Sequence, residues 1–406
     1  MKISKILLSR ISLYLVSFIM LCSMKPWFVW DNPAILYILI VFFILTRLPF
    51  ARRINKKHCV LLILCFILYT VVDVPHINDA KRFVEYIFRH FICTSLVILL
   101  LSEEKASLVK IFINFYAGVL LFSTIIYVLV ILGMPIYSYQ VSINDPYYSW
   151  GFSNSLFLIL PITSFPFPRF QSIFLEPGHL GMISSLMLYM IRYNMRSWQG
   201  IIIFLSSLLS MSLAAYMLLF LGMVIYKLSF GNLLRTITFL LMILMTCTMA
   251  YNFFPNSYFS QAILLRLEYD EDKGFKGNNR ISEDFEYYYN HKFYKTEHVL
   301  LGIGGDNIST ISGEGGNSSY KVFIVQYGIL GLVVLSVFFF VIVWYSKSSF
   351  VRGLLLLYVA SFWQRPYALW EVELFLFISI ALLAKQNEEY NLFAKKTILI
   401  LSLIHI

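Results

Sequence analysis

Long apolar runs separated by short polar connections organise this 406-residue chain. They fall at roughly 6–24, 33–50, 58–74, 86–102, 110–133, 177–194, 200–212, 213–230, 232–252, 320–345, 350–364 and 368–385, and many approach the ~20 residues with which an α-helix crosses a bilayer. The pattern predicts an all-α polytopic membrane protein with about twelve transmembrane helices. Gly200 to Leu228 is long for one span and short for two, so Ser210-Met211-Ser212 near its middle reads as a break between two short helices. No period of 20 to 50 residues repeats, and the polar segment 253–319 has no counterpart in the first half.

Composition excludes the soluble alternatives. The chain is 59% hydrophobic and only 13% charged, with a mean hydropathy of +0.75; a soluble domain carries about twice that share of charge. Disorder, a disulfide-stapled secreted module, a fibrous repeat and a cytosolic enzyme are ruled out together. Cys22, Cys59, Cys65, Cys93 and Cys247 sit in or beside apolar runs without C-x-x-C spacing or a histidine partner. Neither a disulfide, a metal nor another cofactor is implied.

The net charge of +10 supplies orientation. With the N-terminus inside and Met1 to Ser23 read as a retained first span, the inner connections hold Arg47, Arg52, Arg53, Lys56 and Lys57, then Lys105 and Lys110. Arg192 and Arg196, Lys227 and Arg235, Lys347 and Arg352, and Lys385 follow in the same way. The long polar stretches 134–176 and 253–319 then lie outside. This divides the chain into an N-terminal bundle, 1–252, with an external re-entrant segment at 134–176, a large external loop, 253–319, and C-terminal helices, 320–406.

Charges that break the inside-positive pattern are the candidates for chemistry. Arg82, Glu85 and Arg89 are spaced for one face of an α-helix entering the membrane. Such a face serves either as a snorkelling interfacial helix or as a guanidinium surface for an anionic headgroup. In R-F-Q-S-I-F-L-E-P-G-H-L-G, Arg169 to Gly181, Glu176-Pro177 reads as a helix start. His179, three residues after Glu176, shares its face. Glu371 and Glu373 in L-W-E-V-E-L point about 200° apart on a helix, which disqualifies them as paired carboxylates; Arg365 could pair with one of them. Asp270-Glu271-Asp272 reads as a solvated acidic run, and Gly302-Ile303-Gly304-Gly305 as a tight turn or an amide nest for phosphate. Tyr287, Tyr288, Tyr289, Phe293 and Tyr294 either pack the outer loop onto the bundle or present flat faces to sugars.

The Arg169–Gly181 stretch resembles the R-x-x-G-x-F-x-E-P-G-x-x-G pattern of bacterial O-antigen polymerases of the Wzy type, with Ser172 where a glycine is commoner. Arg280 in N-N-R-I-S, the turn Leu300 to Gly305, and the segment Gly316 to Gly331 follow the order of the wider O-antigen polymerase and ligase superfamily. Ligases of that superfamily carry a histidine where this chain has Asn317, which tilts the resemblance toward polymerase; His291 or His298 could substitute for it. The resemblance implies a metal-independent GT-C-like glycosyltransferase in the bacterial inner membrane, both termini cytoplasmic, with a polysaccharide chain-length regulator as partner. Its substrate would be an undecaprenyl diphosphate-linked oligosaccharide, whose glycan passes to a sugar hydroxyl of a second lipid-linked repeat unit at the periplasmic face. Arg169 and Arg280 would stabilise the diphosphate leaving group, with Arg82, Arg89 and Arg365 as further candidates. Glu176, then His179, would take the acceptor proton. The alternatives are an O-antigen ligase and a lipid-linked oligosaccharide flippase or transporter. A flippase calls for cations through the depth of a cavity and often for paired halves.

Overall fold

A computed structural model of the chain describes residues 2–30, 32, 34–53, 56–100, 102–143, 151–162, 168–230, 238, 245, 269–270, 274–275, 282–308, 311, 319–365 and 367–384. It is mostly helical. Lys5–Ser23, Cys59–His76, Glu104–Ile131 and Tyr320–Ser346 are each long and apolar enough to cross a bilayer, and Ala34–Phe50, Trp198–Leu209 and Leu213–Leu228 are shorter apolar helices. Most of the expected span 232–252 lies outside the described residues.

The helices are α1 (Lys2–Ser23), α2 (Ala34–Arg47), α3 (Lys56–Asp73), α4 (Ala80–Glu85), α5 (Cys93–Ser95), α6 (Ser102–Ile131), α7 (Pro177–Met190), α8 (Trp198–Leu209) and α9 (Leu213–Phe230). After them come α10 (Glu283–Tyr287), α11 (Tyr320–Ser346), α12 (Ser349–Gln364) and α13 (Glu371–Ala384). Two of these, α7 and α13, are apolar all round and buried from Gly178 to Met190 and from Glu371 to Leu383; such a helix belongs in the centre of a bundle. Helix α13 packs against α1, α5, α6, α7, α11 and α12, and α7 against α8, α9 and α12. Outward faces stay apolar and exposed, as at Phe42, Leu45, Ile63, Phe122, Ile125, Phe340 and Trp344, which suits lipid rather than water.

The break expected at 210–212 is present: α8 ends at Leu209, Met211 adopts a left-handed φ of 44°, and α9 starts at Leu213. Gly181 lets α9 approach α7 closely, since a Cβ there would lie 2.2 Å from the Ala215 Cβ. The run 86–102 is not the continuous α-helix that was expected. Tyr86–Ile92 is π-helical, α5 is a single turn, and Leu96 to Leu99 are turns.

At one end of the bundle Arg47 and Glu104 form a buried two-pronged pair, Nη1 to Oε1 and Nη2 to Oε2 both 3.0 Å, supported by the Ser12 and Ser9 hydroxyls. These residues fall on one side under the expected parity, yet they are packed rather than solvated. The other end gathers the last residues of α1, α3 and α12 and the first of α7, α11 and α13. There the Trp370 indole donates to the Ser23 carbonyl and the Trp27 amide to the Ile173 carbonyl.

A small antiparallel sheet, not anticipated from the sequence, lies between α6 and α7. Its strands are β1 (Tyr139–Val141), β2 (Phe152–Asn154) and β3 (Ile159–Pro161), with Val141 opposite Phe152 and Asn154 opposite Ile159. Phe152 and Ile159 pack with Leu175, Trp27 and Trp30. A two-stranded ribbon, β4 (Tyr269–Asp270) and β5 (Gly274–Phe275), lies in the polar segment 253–319.

Candidate functional site

Glu176 sits at the start of α7 in extended conformation, with Pro177 in the first helical position, as the sequence predicts. Its side chain caps nothing. Instead Oε2 lies 3.0 Å from Arg365 Nη1 and 4.0 Å from His179 Nε2. Arg365 is the residue before Pro366, a position driven out of helical conformation. Its extended backbone (φ −138°, ψ 138°) ends α12 there. Its guanidinium runs over Gly178, where a Cβ would lie 2.9 Å from Nη2, and donates to the Tyr367 hydroxyl at 3.3 Å. The buried imidazole of His179 packs against the rings of Tyr367 and Trp370, 5.2 and 5.1 Å from their centroids. A carboxylate and an imidazole from one helical turn and a guanidinium from a distant part of the chain thus share one cluster. The N-terminal ends of α7 and α13 both face this end of the bundle, where the positive end of a helix suits acidic side chains such as Glu176 and Glu371.

Arg365 therefore finds its carboxylate on α7. On α13, Glu371 Oε1 lies 3.7 Å from His90 Nδ1, whereas Glu373 accepts a hydrogen bond from Ser361 at 3.2 Å. The two carboxylates serve different neighbours, as their spacing requires.

The structure also holds a cavity of about 410 Å³, lined by Asp73, His76, Asn78, Arg82, Glu85, Tyr86, His90, Glu297, His298, the Gly302–Gly305 turn, Asn307, Gln326 and Tyr327, and tied to the start of α13 by the approach of His90 to Glu371. One wall is a break in α11. Gly328 has a φ of 71°, and the helix opens around it to admit the loop. The Ile303 amide donates to the Val325 carbonyl at 2.9 Å and the Gly304 amide to the Gln326 carbonyl at 3.0 Å, while the Leu330 amide donates to the Leu300 carbonyl at 3.1 Å. The loop satisfies backbone groups that the helix has released, as irregular backbone beside a membrane bundle requires. The His76 ring bonds the Leu301 carbonyl at 3.0 Å on the other side. The reading of Gly302–Gly305 as an amide nest fails, because the amides of 302, 303 and 304 are all taken by carbonyls.

Arg82 lines the cavity with Glu85 3.4 Å away, and its own amide is capped by Asp79 at 2.7 Å. The face expected to continue through Arg89 is carried on by Tyr86 and His90. The α-helical period stops at Glu85, and the i→i+5 closure of the π-helix that follows changes which residues align. The Arg89 side chain, Arg280 and Asn317 lie outside the described residues. Arg169 stands against the break between α8 and α9, its Nε donating to the Ser210 carbonyl at 3.2 Å. Glu176, His179 and Arg365 are thus brought together; Arg82 faces the cavity, and Arg169 braces the broken helix pair.

Sequence reasoning missed His90, His76, Gln326 and Tyr327. His90 lies one residue beyond the Arg82-Glu85-Arg89 stretch, and a wider helical period would have selected it. Comparison with protein-family models, with curated proteins and with solved structures finds no match for the chain.

Proposed function

We propose that this chain is a membrane glycosyltransferase that lengthens a polysaccharide, moving glycan from an undecaprenyl diphosphate carrier to a sugar hydroxyl on a second lipid-linked repeat unit. The observation that carries the reading is the Glu176–Arg365–His179 cluster, in which the E-P-G-H segment meets a cation from α12. Breaking a glycosyl–diphosphate bond places charge on phosphate oxygens, and fixed guanidinium groups stabilise it best where they need not reorganise. Arg365 is fixed in that sense by Glu176 and Gly178. Arg169 and Arg280 are assigned with it to the diphosphate. Because a Glu176 oxygen is committed to a guanidinium, its role is to position Arg365. The expected twelve crossings, periplasmic active face and inner-membrane location belong to the same reading.

A transporter draws support from the opened helix at Gly328, since broken helices build many transporter sites. Purified protein in detergent, with no membrane to cross, separates the two. Given lipid-linked repeat units, a polymerase yields a ladder of longer glycans. No elongation across several detergents overturns the reading and favours transport.

A further inference from the structure

The cavity beside α4 is rich in acids. Asp73, Glu85 and Glu297 line it, and among the described residues Arg82 is the arginine that does, held near Glu85 at 3.4 Å. Three carboxylates repel a diphosphate, so the donor's charged end has no place here. A neutral, hydroxyl-rich ring does. Asn78, Asn307 and Gln326 carry both donors and acceptors, the carboxylates accept from hydroxyls, and Tyr86 and Tyr327 add flat apolar faces. The volume, about 410 Å³, lies within the range of small-molecule sites.

His90 lines this cavity from the π-helix Tyr86–Ile92. Its ring stacks on Tyr69, centroids 5.6 Å apart with planes 28° from parallel, and Tyr69 is itself fixed by a 2.7 Å hydrogen bond to Thr94. Nδ1 faces Oε1 of the buried Glu371 at 3.7 Å. An imidazole held flat, with a carboxylate behind one nitrogen and a cavity beside it, has the arrangement of an oriented general base; such contacts are often loose before substrate binds. Glu371 would hold the tautomer with its proton on Nδ1 and steady the imidazolium that forms.

We propose that this cavity holds the acceptor sugar and that His90, oriented by Glu371, is the base that takes its hydroxyl proton. This rests on the polymerase reading above. The acceptor oxygen forms a bond to the donor's anomeric carbon as the bond from that carbon to the phosphate oxygen breaks. The bonding pair departs with the carrier diphosphate, and the acceptor's proton goes to Nε2 of His90. Glu371 is a positioning residue.

The test is elongation of purified lipid-linked repeat units by wild-type protein and by His90→Gln, His90→Ala and Glu371→Gln, each checked for thermal unfolding in detergent. His90→Gln lowers kcat by about 100-fold or more, the usual worth of a positioned base. Added imidazole restores part of the loss in His90→Ala, which repair of a merely structural defect would not do. Glu371→Gln lowers kcat with KM unchanged. Elongation by His90→Gln within threefold of wild type, or His90→Ala inactive and unmoved by imidazole while still folded, overturns the dyad and leaves the polymerase standing. Wild-type protein that elongates nothing removes both.

Discussion

Arg365, at the end of α12, places Nη1 3.0 Å from Oε2 of Glu176, at the start of α7, and both side chains are largely buried at 11% and 16% exposure. Removing one partner of such a pair leaves an uncompensated charge and costs about 3–5 kcal/mol, whereas replacing both with neutral groups of similar shape is nearly neutral. Glu176→Gln and Arg365→Met should therefore each lower the unfolding midpoint in detergent, and the double variant should recover most of it. Elongation should not recover with it. A double variant that regains full activity would reduce the pair to a strut between α7 and α12.

The break in α11 makes a second, independent prediction. Gly328 has a φ of 71°, and a Cβ there would sit 2.1 Å from the Leu300 carbonyl oxygen, which is backbone and cannot step aside. Gly328→Ala combines left-handed strain of about 1–2 kcal/mol with expulsion of the loop. The expected result is faster proteolysis within 282–308 and loss of elongation, with little change in the rest of the bundle. Unaltered proteolysis would show that the loop does not depend on the break.

Much of the E-P-G-H segment was legible in the sequence, and the structure supplies a reason for each small residue. Ser172, standing where the resembling pattern favours glycine, has a φ of 56°. Gly178 passes under the Arg365 guanidinium, and Gly181 meets Ala215. The break at Ser210-Met211-Ser212 was legible too, because two serines interrupt the apolar run near its middle. The cavity was not. It is assembled from the end of α3, α4, the π-helix, the loop residues 297–307 and the opened α11, and neither the π-helical turn nor the opening at Gly328 leaves a periodic signal. The strands β1 to β3 are three residues each, too short for alternation to register.

Ser172 gives a test of that account. Its hydroxyl pairs with Ser123 at 2.7 Å while its backbone is in the left-handed region. Ser172→Ala loses the hydrogen bond and keeps the strain, at a cost of about 1 kcal/mol. Ser172→Gly loses the same bond but relieves strain of similar size, so its unfolding midpoint should lie above that of the alanine variant and close to wild type. The reverse order would mean that the hydroxyl, rather than the backbone conformation, decides which residue this position tolerates.

The aromatic cluster at 285–294 divides into two groups with different expected behaviour. Phe285, Tyr289 and Phe293 are buried against Val322, Ile324 and Val325 at the start of α11, and Tyr289 shares a 2.7 Å hydrogen bond with Tyr294. Tyr287 and Tyr294 remain more than half exposed, Tyr287 beside His291 with the Lys292 ammonium over its ring. Phe293→Ala should cost about 3–5 kcal/mol, the usual range for a large side chain deleted from a core. Tyr287→Ala should leave stability within about 0.5 kcal/mol. If the exposed ring lies along a sugar face, it binds ground state and transition state alike, so its loss should raise KM for lipid-linked repeat units with kcat unchanged. A rise of about tenfold would correspond to ~1.4 kcal/mol of contact. Unchanged KM in Tyr287→Ala and in the Tyr287→Ala, Tyr294→Ala pair would assign this cluster to packing, because among its described rings Tyr287 and Tyr294 are the ones more than half exposed.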